Sequence, residues 1–239
     1  MDLGLDYRLA ADARASERAT FIRRTYGHLA GAILAFVALE TLLFNYAPEA
    51  VEQIVRSMIG SRFSWLLVLG GFMLVSWVAE SWARSNTSRG LQYLGLGLYV
   101  VAWSVLFVPL LFVAQILYPN EHLPEKAGIM TLAVFGGLTL AVFVTGKDYS
   151  GLRTYLSVGS LLALGFIIAS ILFNFQGMVM LIFCFAMVAL ASGYIIYQTS
   201  NISHHYRTDQ HVAAALALFA SVALLFWYIL QILLLSRRR

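Results

Sequence analysis

Three histidines and an aspartate fall within one run, His204-His205-Tyr206-Arg207-Thr208-Asp209-Gln210-His211, and imidazoles with a carboxylate can bind zinc. No spacing in the run puts those ligands on one helix face, so a polar turn is the simpler account and no metal site is expected. Two carboxylates, Glu40 and Glu80, stand inside long apolar stretches, where a charge is costly and often functional. The remaining chemistry-bearing signals are missing. The chain has no HExxH, no GxSxG, no phosphate-cradling glycine loop and no closely spaced carboxylate pair. The single cysteine, Cys184, excludes an intrachain disulfide and a thiolate cluster. These absences point away from an enzyme and from a cofactor.

The elements that hold these residues are legible in the placement of charge. Of 28 charged residues, 26 lie outside seven apolar stretches at 27–47, 63–83, 91–117, 127–146, 154–173, 178–198 and 212–235. About 20 apolar residues at ~1.5 Å rise cross the roughly 30 Å hydrocarbon core of a bilayer. A soluble helical protein would instead put charges on the outer face of every helix. The composition agrees: 60% hydrophobic and 12% charged, against about 25% charged in soluble domains. The expected fold is an all-α membrane protein, a bundle of seven transmembrane helices in the lipid bilayer. Its parts are a polar segment over 1–24, a transmembrane domain over 25–236 and a basic tail over 237–239. Nothing at the start resembles a cleaved signal, because residues 1–24 are polar and Arg-rich.

Basic residues give the orientation. Arg8, Arg14, Arg18, Arg23, Arg24, Arg84, Arg89, Lys147, Arg153 and Arg207 fall on one side of the spans, and Arg56, Arg62 and Lys126 on the other among Glu49, Glu52, Glu121 and Glu125. Ten against three places the N-terminus in the cytoplasm. The tail Arg237-Arg238-Arg239 then lies outside, against the rule, unless the last stretch re-enters. Its 24 uncharged residues favour a full crossing. Basic residues that flank spans also explain the net charge of +4 without nucleic acid.

Small and polar residues mark where spans meet. Gly27 and Gly31 form a GxxxG pair, and Ala213, Ala217, Ala220 and Ser221 form a small stripe in the last span, read as the packing face of a central helix. Glu40, about seven residues from the outer end of its stretch, is either structurally bonded or faces a cavity. Glu80, three from the inner end, reads as interfacial. With Gln115, Gln198 and Ser221 they make up the polar groups that require burial against one another or against water.

Three ordered patterns carry a resemblance. They are the turn Lys147-Asp148-Tyr149-Ser150, the run Ile196-Tyr197-Gln198-Thr199-Ser200-Asn201-Ile202, and the last span from Ala213 to Leu230, with Pro109 and Asn174 also in place. Together they resemble the Bax inhibitor-1 family, most closely its proteobacterial YccA-like branch. The resemblance implies a seventh helix at the centre of six others, a bacterial inner-membrane location and association with an FtsH-type membrane-bound AAA protease. It marks Lys147, Asp148, Ser150, Thr199, Asn201 and Pro109 as motif residues. Some bacterial members carry an aspartate pair linked to pH-dependent calcium leak, at positions matching Gln198 and Ser221. An amide and a hydroxyl do not titrate near neutral pH, so that proton switch is expected to be missing.

Two functions follow. One is a modulator or substrate of membrane-protein quality control, with residues 1–24 as an unstructured handle for the protease. The other is a cation leak or transport pathway, for calcium or protons, through the polar groups of the bundle. If Gln198, Ser221 and a span carboxylate line one cavity, transport gains; if each is isolated and packed, interaction gains.

Overall fold

The segregation of charge becomes helix almost end to end. The computed structural model describes residues 9–85 and 88–237, so Arg8, Arg238 and Arg239 lie outside the described residues. Among those described there are eight helices: α1 (Ala15–Tyr46), α2 (Pro48–Ile59), α3 (Arg62–Ala83), α4 (Arg89–Leu117), α5 (Leu123–Thr145), α6 (Leu152–Phe173), α7 (Met178–His204) and α8 (His211–Arg237). All but α2 are long and apolar enough to cross a membrane. The protein is a multi-pass membrane protein built from seven apolar helices.

The helix ends follow from local chemistry. Ser61 and Ser88 cap α3 and α4 by accepting from the Ser64 and Leu91 backbone N–H groups. Gly146 and Asn174, both left-handed, close α5 and α6; these are the two residue types that bear that conformation best. Pro109 stands inside α4 and, lacking an N–H, leaves the carbonyl four residues earlier without its helical donor.

α8 lies at the centre. Five consecutive residues, 212–216, are buried, which is possible only when every face is covered, and α8 packs on α7, α1, α5, α4 and α3. The resemblance implied six surrounding helices; here α6 sits one layer out, packed on α7 and α3. α8 also runs the length of the bundle. Its first residue lies among Arg24, Arg89 and Arg207, while Arg237 pairs with Glu121 in the α4–α5 turn at 2.9 Å, so the two ends of α8 lie at opposite ends of the bundle. We call them the basic end and the acidic end.

α2 was not expected. Val51, Val55 and Met58 recur at helical spacing and are buried, while Glu52, Gln53 and Arg56 are exposed, so this short amphipathic helix lies against α4 through Val108.

Two expectations about small residues are corrected. A Cβ added at Gly27 or Gly31 would meet nothing within 4 Å, so neither glycine of the GxxxG pair marks a close helix approach among the described residues. The close approach is at Gly95 instead, where a Cβ would stand 2.6 Å from the Ala79 carbonyl oxygen and 2.7 Å from the Ala83 nitrogen. α3 and α4 therefore touch backbone to backbone. The stripe on α8 is buried at Ala213 and Ser221 but only half-buried at Ala217 and Ala220, and all four residues border a cavity.

The N-terminal segment is also corrected. α1 begins at Ala15, and ahead of it Ala10 is fully buried and donates its N–H to the Tyr206 carbonyl at 2.8 Å. Leu9 forms an antiparallel bridge with Arg207. From residue 9 onward this segment is folded against the α7–α8 turn rather than extended as a free handle.

Candidate functional site

The polar groups singled out from the sequence fall into two cavities, one toward each end of α8. The cavity at the basic end has a volume of about 320 Å³ and is lined by Glu80, Gln198 and Ser221 together. Each helix brings its residue in at a different depth. Glu80 stands three residues before the end of α3, Gln198 six before the end of α7, and Ser221 ten past the start of α8, roughly 15 Å in by helical rise. Glu80 is 45% exposed and sits 3.8 Å from Arg84, one turn on, which also lines the cavity. The Ser221 hydroxyl donates to the Ala217 carbonyl of its own helix at 3.0 Å, so it presents an acceptor lone pair to the cavity. Sequence reading missed Tyr194 and Ser160 here. Their hydroxyls bond each other at 2.8 Å across α6 and α7 in the same wall, and nothing in the local pattern pairs residues 34 apart.

Glu40 and Gln115 are not part of that cavity, which corrects their grouping with Gln198 and Ser221. They line a second one of about 420 Å³, between the acidic-end halves of α1, α4, α5 and α8. Glu40 is 7% exposed and neither carboxylate oxygen has a hydrogen-bond partner. Gln115 is exposed at the same cavity.

A block of aromatic rings stands between the two. Phe107 is fully buried and contacts Phe36 at 5.1 Å, Phe226 at 5.2 Å, Trp227 at 5.0 Å and Trp103 at 5.7 Å between centroids. Trp103 and Tyr99 border the basic-end cavity; Phe36, Phe219 and Phe226 border the other. Tyr99 reaches Phe219 at 6.2 Å. Edge-to-face and offset contacts of this kind hold rings in place beyond their buried area.

The motif residues serve a different place. Asp148 accepts from the Ser150 N–H at 2.8 Å and pairs with His205 at 3.0 Å, while the Ser200 hydroxyl accepts from the Tyr149 N–H at 2.8 Å. The Asn201 carbonyl takes the N–H groups of His205 and Tyr206 at 2.7 and 3.0 Å. The Lys147-to-Ser150 turn is thus clasped to the end of α7. The Ser150 N–H and, after it, His205 hold the Asp148 carboxyl down at about 2. Thr199 is fully buried beside this clasp and Pro109 lies far along α4. The histidines of the run point to separate partners: His204 to the Ser200 carbonyl, His205 to Asp148, and His211 to the ring of His28. No group of three or more potential metal ligands forms among the described residues.

A family model described as Inhibitor of apoptosis-promoting Bax1 matches residues 18–239. The chain belongs to the Bax inhibitor-1 family. An uncharacterized protein of Pseudomonas aeruginosa is 28% identical over 225 residues, which cover 93% of this chain and 92% of that protein. Protein LIFEGUARD 4 of Arabidopsis thaliana is 25% identical over 89% of this chain and 83% of its own length. Protein lifeguard 4 of Mus musculus is 29% identical over 58% of each. This Bax inhibitor-1 family protein clasps the turn at residues 147–150 to the end of α7 and places an amide and a hydroxyl, Gln198 and Ser221, on its basic-end cavity.

Proposed function

We propose that this protein is a regulated cation pathway of a bacterial cytoplasmic membrane, with the basic end in the cytoplasm and the pathway closed by the aromatic block. The observation that carries the reading is that Glu80, Gln198 and Ser221, from three helices, line one cavity. A carboxylate, an amide oxygen and a hydroxyl are the donor atoms a desolvated cation needs in a bundle core. The aromatic block of Phe107, Trp103, Phe36 and Phe226 supplies an apolar constriction of the type that gates by excluding water. Ten basic residues against three support the orientation. With no aspartate pair on the cavity, conduction in this chain is governed by something other than a carboxylate couple at Gln198 and Ser221. The role as modulator or substrate of an FtsH-type AAA protease ranks second. From residue 9 onward the segment it invoked is folded, with Leu9 and Ala10 against Arg207 and Tyr206, so that reading draws its support from family resemblance.

The test is cation flux into proteoliposomes, read for calcium and for protons between about pH 5 and 8. Wild type should exceed protein-free vesicles, and Glu80→Gln should lower the flux several-fold by removing the mouth charge. Flux equal to that of empty vesicles under every condition would overturn the reading, as would an unchanged rate in Glu80→Gln.

A further inference from the structure

The acidic-end cavity has a composition that fits a different ligand from the basic-end one. It holds one buried carboxylate, Glu40, in a mainly apolar wall that includes the rings of Phe36, Phe44, Phe219 and Phe226, with Thr41, Asn45, Gln115 and Thr131 as its uncharged polar groups. Glu40 is 93% buried by its exposure of 7%, and both of its oxygens are unpartnered. A carboxylate so placed is stable when it carries a proton or when a cation sits beside it. The cavity admits such a cation, and its wall says which kind. A hard metal ion requires six or more oxygens around it, most of them from carboxylates, and no group of three His, Cys, Asp or Glu side chains forms here or elsewhere among the described residues. A cation whose charge is spread over alkyl groups needs no such cage. It is held by ring faces and by one negative charge in a dry wall.

Access fits the same class. At the mouth stands Glu125, 64% exposed, so the approach from water is negative. Along the side, Val37 of α1 and Leu132 of α5 border the cavity and are 51% and more than half exposed, so it also opens toward the lipid. α1 and α5 meet through Tyr26 with Phe135 and Phe143 nearer the basic end, below this opening. A ligand that is both positively charged and apolar can arrive by either route.

We propose that the cavity between α1, α4, α5 and α8 is a binding site for amphiphilic organic ammonium ions, with Glu40 as the counter-charge and the four phenylalanines as the cage. The volume of about 420 Å³ falls in the range of small-molecule sites, about 300–1,000 Å³. Binding here is measured without reference to conduction.

The probe is benzyltrimethylammonium, titrated calorimetrically into the purified protein in nanodiscs of zwitterionic lipid, alongside its uncharged carbon isostere neopentylbenzene. Wild type should bind about one ammonium ion per chain, and Glu40→Gln, which keeps shape and removes charge, should weaken it roughly tenfold or more. Phe44→Leu, on the cavity wall and outside the aromatic block, should weaken it about fivefold and carries the test if Glu40→Gln does not fold. Neopentylbenzene should bind wild type and Glu40→Gln alike. Calcium at millimolar concentration should not displace the ammonium ion. Equal ammonium affinity in wild type and both variants would overturn the proposal. So would displacement by calcium, which would mark a hard-ion site, or a neopentylbenzene affinity that depends on Glu40, which would mark a protonated carboxyl in a merely apolar pocket. Loss of flux with binding intact would count against the cation pathway and leave this site standing.

Discussion

The two intramembrane glutamates have the same side chain and opposite surroundings. Glu80 is near half exposed, beside Arg84, on a cavity with an amide and four hydroxyl-bearing neighbours. Glu40 is buried, unpartnered and walled by phenylalanines. The first site offers oxygen donors and access to water; the second offers ring faces and a dry charge. The lesson is that the selectivity of an intramembrane carboxylate is written by its neighbours: a wet, hydroxyl-lined one suits small ions, a dry, ring-lined one suits soft cations.

The comparison breaks most completely if the rings between the cavities are removed. Phe107→Ala should cost about 3–5 kcal/mol of stability, because it empties a fully buried position. In the fraction that folds, it should raise basal flux by joining the two cavities. Thermal unfolding in detergent checks the first effect and proteoliposome flux the second; a stable variant with unchanged flux would mean the block does not separate the compartments. A smaller change sharpens the basic-end site. Gln198→Asp with Ser221→Asp puts two carboxylates on one cavity, whose titrations must couple. A step in flux between about pH 5 and 8 should appear in the double variant alone. If wild type already shows that step, and keeps it without Glu40, Glu80 and the loop histidines, another titrating group governs the pathway.

Ala217→Leu tests whether the α8 stripe is packed or hollow. A packed stripe would be strained by about 1–3 kcal/mol. Because Ala217 borders the basic-end cavity, the unfolding midpoint should move little and flux should fall as the new side chain fills the space. The smallest effect belongs to the clasp at Asp148. Its carboxyl is held at about 2 in the folded chain, below the ordinary value of about 3.9. The contribution is therefore complete above about pH 5 and is lost as pH falls through the range from about 4 to 2. Asp148→Asn should flatten the acid side of the stability profile slightly, since the pair is 43–48% exposed. Melting curves across that range, compared between the two proteins, read it directly.

Seven spans were legible because bilayer crossing excludes charge from long segments, a one-dimensional signal. α2 was readable in principle from Val51, Val55 and Met58, but a twelve-residue amphipathic helix looks like a connecting loop when only apolar length is counted. The shared cavity of Glu80, Gln198 and Ser221 could only be posed as a question, since it depends on the rotation of three helices. The separation of Glu40 from that group was illegible for the same reason. Glycine spacing misled outright. Gly27 and Gly31 form the recognisable motif and have open space where a side chain would stand, whereas Gly95, outside any such motif, is where backbones meet. The motif turn at Lys147 was visible, but its partner across α7, Ser200, stands some fifty positions away and is set by the fold alone.

The backbone contact at Gly95 has a mechanical consequence. With no side chain between α3 and α4 at that level, the two helices cannot slide or rotate independently without a clash between main chains. Any rearrangement that widens the basic-end cavity must carry them together as a single lever, with Glu80 and Arg84 riding at its tip and Trp103 on its inner flank. A pair of spin labels placed on α3 and α4 would keep one fixed distance in every functional state. A pair placed on α3 and α7 would record the stroke.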